Sequence, residues 1–538
     1  MKFNKILILI VSVLLLVACS DDKKETSNSQ SDFAIDNYGG ETLRIVSGSE
    51  NKELEPIIKK FAKKHKINIS MDYLGSLDIM RMLQGSETDY DAVWPASSIW
   101  LDLGDTQNKL KHTATTSISP VVFGIRQSLA EELGFVNRDD VTIDDIMKAI
   151  ESGKLKFAMT SATQSNSGAS AYLGFLTALA GKQEQGFSGQ ELQDPNLQEK
   201  ITTLLSGVNR SSGSSNWLVD LFVKSDYDAM VNYEALIIQA NKKLENAGKE
   251  PLYVVYPKDG LSISDSPLAY IDQGNKDKED AFLKFQEYLL SDQVQGEIES
   301  TGKRSAFGTV RKNNHKVFNA DWGINLDQVL SPIRLPQAQT IMEALNLYQT
   351  QFKKPALTVY VLDYSGSMYG NGRDQMIKAL EQVLVPENAK TNLLLGTAKD
   401  ETYIIGFNND IVAQEYASGN GDQLKRLYDE AAAIDANGGT SMYLAVSQAL
   451  DLIYNEYGDR LNAYTPAIIV LSDGQANDSP GVMESTYQQY GMDIPIFSIM
   501  FGEAYEDELQ SMADLSNGRI FDGRDNLIEA FQSVKGYN

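Results

Sequence analysis

Residues 356–368 run Ala356-Leu357-Thr358-Val359-Tyr360-Val361-Leu362-Asp363-Tyr364-Ser365-Gly366-Ser367-Met368. The apolar run predicts a short buried strand that ends at Asp363 and delivers the next residues to a loop at the carboxyl edge of a sheet. In an extended loop, alternation turns Asp363, Ser365 and Ser367 the same way, so one carboxylate and two hydroxyls converge. Downstream, Gly438-Gly439-Thr440 opens a predicted helix, and Leu471-Ser472-Asp473-Gly474 ends a second apolar strand over 467–471. These three pieces supply two carboxylates and three hydroxyls, with no nitrogen or sulfur donor. Such a set suits a hard divalent cation, Mg²⁺ or Mn²⁺, that keeps some of its water.

With Asp363 to Met368, Gly438 to Thr440 and Leu471 to Gly474 in this order, the region resembles the metal-ion-dependent adhesion site of von Willebrand factor type A domains. The resemblance implies that Ser365, Ser367 and Thr440 bind the metal directly. It gives Asp363 and Asp473 a direct or water-mediated role, and leaves one position for an acidic side chain of a protein partner. It also implies a Rossmann-like, doubly wound parallel sheet over 355–538. The alternation of strands and helices there points the same way. Strands are expected over 402–407, 467–471, 494–501 and 519–521, and helices over 374–385, 422–434, 441–457 and 506–515.

The amino terminus reads as an export signal. Lys2 and Lys5 precede an apolar run, Ile6 to Val17, too short for a bilayer-spanning helix. Leu16-Val17-Ala18-Cys19 is similar to a bacterial lipobox. That implies a signal peptide over 1–18, lipid on Cys19, and a chain held outward on the cell membrane. Cys19 is the only cysteine, so the exported part has neither disulfide nor thiol chemistry. Residues 19–40, rich in Ser, Asn, Asp, Lys and Gln, are expected to form a flexible tether.

The 538 residues carry a formal net charge of -25, which argues against nucleic acid as a partner. His65, His112 and His315 are far apart, so zinc chemistry and a serine–histidine triad have little to work with. No catalytic residues are assigned, and a metal-dependent hydrolase is the least favoured class.

The middle of the chain, 41–335, alternates strands and amphipathic helices. Three successive strands end in hydroxyl-rich loops that open helices: at Ser47-Gly48-Ser49-Glu50, at Gly75-Ser76 and at Pro95-Ala96-Ser97-Ser98. A fourth such loop runs from Thr160 to Gly168. Free N–H groups at helix starts, with hydroxyls beside them, form natural binding loops for oxyanions. The stretches from Val46, Leu74, Asp91, Thr160, Met230, Val254 and Ser264 resemble the type II extracellular solute-binding proteins of bacterial transport systems. The resemblance implies a two-lobed α/β module with solute between the lobes. The second lobe would span about 126–250 and be reached by crossing strands at 118–125 and 252–256. Ser47, Ser49, Ser76 and Ser97 would face Ser165, Ser167 and Tyr233 across the cleft. The ligand class stays open: the hydroxyls suit an oxyanion, whereas Glu50, Asp91, Glu234 and Asp265 suit a cationic or sugar-like solute. A helix over 336–354 is expected to connect the two modules and let them dock. The whole reads as a membrane-anchored sensor or scaffold that binds a solute and a protein carboxylate. The alternative is the solute-binding component of an ABC-type transport system, delivering to a permease.

Overall fold

The computed structural model describes residues 31–85 and 87–537. The expected signal peptide and the lipidated Cys19 lie outside the described residues. The first sheet has the order Phe33–Ile35, Asn68–Tyr73, Thr42–Ser47, Ala92–Trp94, Pro267–Ile271, Leu110–Thr115. Its three central strands are parallel, and each runs into one of the hydroxyl-rich loops. Phe33–Ile35 corrects the expectation of a tether reaching residue 40: it pairs antiparallel with Asn68–Tyr73. The physical reason is Phe33, whose ring is buried at the sheet edge with the Lys59 ammonium 5.1 Å from its centroid.

The second sheet has the order Leu252–Val255, Ser117–Arg126, Ala229–Tyr233, Phe157–Thr160, Val208–Ser212. Both expected crossing strands therefore lie within it. Arg304–Ser305 also pairs with the start of Ser117–Arg126. Here Arg304 meets Glu234 in a two-pronged ion pair, with Nε to Oε1 at 2.8 Å and Nη2 to Oε2 at 2.7 Å. Both side chains are buried, and the Tyr256 hydroxyl also donates to Glu234. The chain then stays on this lobe. Phe318, Trp322, Ile324 and Ile333 enter its core, and the helix Ala338–Leu347 packs there too, its Ala344 carbonyl accepting from Tyr172 at 2.8 Å. The expected connecting helix is thus part of the second lobe, and it ends in one π-helical turn, Tyr348–Phe352.

The third sheet has the order Ile411–Ser418, Glu401–Phe407, Ala356–Asp363, Thr465–Ser472, Ile496–Met500, Arg519–Asp522. All neighbours are parallel except the first pair, whose edge strand Ile411–Ser418 was absent from the expected list of strands. Ala356–Asp363 is buried along its whole length because helices cover both faces, which explains its unbroken apolar run.

The amino ends of these strands face the second lobe. Arg210 donates to the Asn517 carbonyl at 2.8 Å, Tyr227 to Asp493 at 2.9 Å, and Ser211 to the Gly536 carbonyl at 3.0 Å. Trp217 belongs to the apolar packing of both modules; its ring meets Tyr537 edge-on with centroids 4.9 Å apart. The first lobe is reached as well, through Arg81 and the Asn392 carbonyl at 3.2 Å. The C-terminal domain therefore straddles the two lobes.

Trp217→Ala is expected to cost about 2 kcal/mol, because a partly buried indole is lost at the seam. It should also raise amide exchange over 535–537. An unchanged denaturation midpoint with unchanged exchange would rule out this docking. Arg304→Met leaves Glu234 buried without its cation and is expected to cost about 3–5 kcal/mol, with Arg304→Met/Glu234→Gln recovering part of the loss in the same denaturation assay.

Candidate functional site

Ala356–Asp363 and Thr465–Ser472 run parallel, so both end at the same edge and bring Asp363 beside Ser472. The Ser472 hydroxyl donates to Asp363 Oδ2 at 2.6 Å, and the Ser365 N–H donates to Oδ1 at 2.7 Å. Both oxygens of Asp363 are thus held from behind. In front, Ser365 Oγ lies 2.9 Å from Ser367 Oγ, which donates to Asp473 Oδ1 at 2.7 Å. A methyl added to Gly474 would stand 3.3 Å from Ser367 Oγ and 3.8 Å from Thr440 Oγ1, so these hydroxyls border one small space that glycine leaves open. All five predicted residues are gathered at this edge.

The third loop is set by residues the sequence reading missed. Asn477 Oδ1 accepts from the Thr440 N–H at 2.7 Å, and the Asn477 N–H returns to the Thr440 carbonyl at 2.8 Å. Asp478 caps the helix Met442–Tyr457 by accepting from the Leu444 N–H at 2.7 Å. These contacts join positions more than thirty residues apart, so no local spacing announces them. Burial raises the Asp363 carboxyl above its ordinary value; the hydrogen bonds from Ser472 and Ser365 offset part of this, and Asp473 adds to it. Burial raises Asp473 too; the Ser367 hydroxyl and a backbone hydrogen bond offset part of this, and Glu503 adds a little. Two carboxyls made costly to ionise, with hydroxyls converging in front, form an arrangement that a hard cation would stabilise. Among the described residues no group of three or more His, Cys, Asp or Glu gathers as a metal site, so hydroxyls supply most of the donors here.

Between the lobes lies a cavity of about 290 Å³. Ser49, Ser76 and Ser165 line it, as the sequence reading placed them. Ser47, Ser97, Ser167 and Tyr233 are corrected: they are buried and do not line it. Ser47 donates to the Trp94 carbonyl and accepts from Asn51; Ser167 pairs with Thr160 and Ser215; Tyr233 accepts from Asn166; and Ser97 accepts from the Ile99 N–H within its own turn. Their hydroxyls build the loops instead. Three of the four weighed acids are likewise engaged. Asp91 pairs with Lys278 at 2.9 Å, Glu234 with Arg304, and Asp265 accepts from the Ser98 N–H at 2.8 Å. The lobes touch directly, Trp100 Nε1 donating to Asn166 Oδ1 at 2.6 Å. Gly75 makes that closure possible, since a Cβ there would stand 2.4 Å from the Gln164 carbonyl oxygen.

Residues 43–304 match the family model of the bacterial extracellular solute-binding protein, and residues 359–533 match that of the von Willebrand factor type A domain. Among solved structures, a ferric binding protein from Campylobacter jejuni is 15% identical, with a TM-score of 0.41 over 57% of this chain and 98% of its own. A von Willebrand factor type A protein from Catenulispora acidiphila is 18% identical, with a TM-score of 0.29 over 35% of this chain and 43% of its own. Of curated proteins, the human collagen alpha-5(VI) chain is 26% identical over 182 residues, which is 33% of this chain but only 7% of the collagen chain. The first family implies an exported protein. Among the described residues no helix is long and apolar enough to cross a membrane. The chain carries an extracellular solute-binding module followed by a von Willebrand factor type A domain.

Proposed function

We propose that this is a lipid-anchored extracytoplasmic binding protein that holds a small solute between its lobes and captures an acidic group of a protein partner through a divalent cation. Mg²⁺ is the first choice and Mn²⁺ the second. Ser365, Ser367 and Thr440 would hold the ion, with Asp473 and Asp363 supplying charge. Bound there, it would act as a Lewis acid for a partner carboxylate. The observation that carries this reading is the direction of the third sheet. Its amino edge is docked on the solute-binding module, while the hydroxyl cluster sits at the opposite edge, about 25 Å away along an eight-residue strand. Ser367 is exposed there, and Tyr369 in the same loop is 81% exposed, offering a partner an aromatic contact beside the metal position.

The cavity supports sensing over delivery. A solute handed to a permease must leave through the cleft mouth, and residues of the type A domain, Asn392, Phe521 and Glu529 among them, wall that mouth. The protein would then retain its solute and present the metal edge to a partner.

Chelator-treated protein is expected to gain thermal stability on addition of Mg²⁺ or Mn²⁺, about 2.7 kcal/mol at a hundredfold excess over Kd. Asp473→Ala and Thr440→Ala should remove that gain while keeping the metal-free melting temperature near that of the wild type. Calorimetry with no heat of divalent-ion binding would reject the metal reading. For the anchor, Cys19→Ala is expected to abolish incorporation of labelled palmitate; equal labelling of both proteins would reject it.

A further inference from the structure

The interlobe cavity has three walls. Ser49, Glu50 and Arg81 come from the first lobe, Ser165 from the second, and Arg519 and Glu529 from the type A domain. Of the cations on these walls, Arg81 pairs with a carboxylate, whereas Lys52 and Arg519 lie against aromatic rings. Arg81 bonds Asp78 at 2.7 Å and the Asn392 carbonyl, and Lys52 sits 4.9 Å from the Tyr73 ring centroid. Arg519 lies over the rings of Phe521 and Tyr537, at 5.2 and 5.6 Å.

One carboxylate keeps a buried oxygen with no hydrogen-bond partner. Glu50 is 7% exposed, lines the cavity, and has no hydrogen-bond partner for Oε1. Burial raises its carboxyl; the charge of Lys303 and a backbone hydrogen bond offset only part of this. A buried carboxylate in this state is stabilised by a cationic partner that also donates a hydrogen bond. Glu529 adds a second acid at the mouth. Its carboxyl is raised by desolvation and then by the charge of Asp78. The remaining recognition is by donors. The helices Ser76–Gln84, Asn166–Leu179 and Ser215–Lys224 all begin at the cavity; the Asp78 and Trp217 N–H groups are taken by Gly75 and Ser214, and the N–H groups before them have no acceptor within their own helix.

We propose that this cavity takes a small solute bearing a protonated amine, seated on Glu50, with its oxygen atoms received by the helix starts and with Glu529 of the type A domain closing over it. The proposal rests on the solute-binding reading above and adds the chemical class and the third wall. Because one wall belongs to the type A domain, solute occupancy and domain docking are thermodynamically linked.

The test uses the full chain and pairs of probes that differ in the amine: D-glucosamine against D-glucose, L-serine against L-glycerate, and putrescine against 1,4-butanediol, with sulfate as the oxyanion. Thermal shift and calorimetry are read for the wild type, Glu50→Gln and Glu529→Gln. At least one amine is expected to raise the melting temperature by several degrees while its match does not. Affinity for that amine should fall more than tenfold in Glu50→Gln and less steeply in Glu529→Gln. Should Glu50→Gln fail to fold, Glu529→Gln, exposed on the outer face of its helix, carries the comparison, and unchanged amine affinity there overturns the third wall. If sulfate or the amine-free matches bind as well as the amines, this proposal falls while the solute-binding reading stands. If no probe binds, and denaturing the purified chain releases no small molecule, both fall.

Discussion

The seam between Trp217 and Tyr537 is the contact on which the arrangement of this protein depends. Either module has an apolar core of its own, but Trp217 packs into both. Around it, hydrogen bonds to backbone carbonyls at Asn517 and Gly536 fix how the type A domain sits. Such contacts specify orientation, because a carbonyl accepts over a limited range of directions. Once the amino edge of the third sheet is pinned to the second lobe, parallel pairing sends the loops after Asp363 and Ser472 to the far edge. The place of the hydroxyl cluster relative to the interlobe cavity follows from that pairing.

The same docking shapes the cavity. The two lobes meet directly through Trp100 and Asn166 and through the close approach at Gly75, which leaves a space of about 290 Å³ between their helix starts. The type A domain touches both lobes, Arg81 on one side and Arg210 on the other, and so braces the closed arrangement. The cavity and the hydroxyl cluster at the far edge of the third sheet are therefore connected through one packed body.

Burial separates side chains that look alike in the sequence. Glu50, Asp91, Glu234 and Asp265 all sit near hydroxyl-rich loops or strand ends. Lys278, Arg304 and the Ser98 N–H engage the last three, leaving Glu50 with an unpartnered oxygen. The partners come from segments as far as 187 residues away. The serines divide in the same way: Ser49, Ser76 and Ser165 reach the cavity, whereas Ser47 and Ser167 are spent inside the loops they build.

What the sequence determined by itself was local and periodic. The run from Ala356 to Leu362 marked a central strand because a strand covered on both faces is apolar throughout. The Asp363, Ser365 and Ser367 spacing marked three side chains that converge, but the extended backbone expected there ends at Ser365, and the helical turn Gly366–Met368 is what carries Ser367 to the site. The helices expected over 422–434 and 506–515 were legible, and the structure gives Asp422–Ala432 and Glu506–Leu515. The tertiary structure decided whatever required two distant segments to meet: the antiparallel edge strand Ile411–Ser418, the Asn477 clamp on Thr440, the placing of Ala338–Leu347 within the second lobe, and the third wall of the cavity. The physical reason is that a polar side chain has several acceptors and donors within reach of its type, and only packing selects which one it meets. Periodicity records which face of an element is buried, and carries no record of what is buried against it.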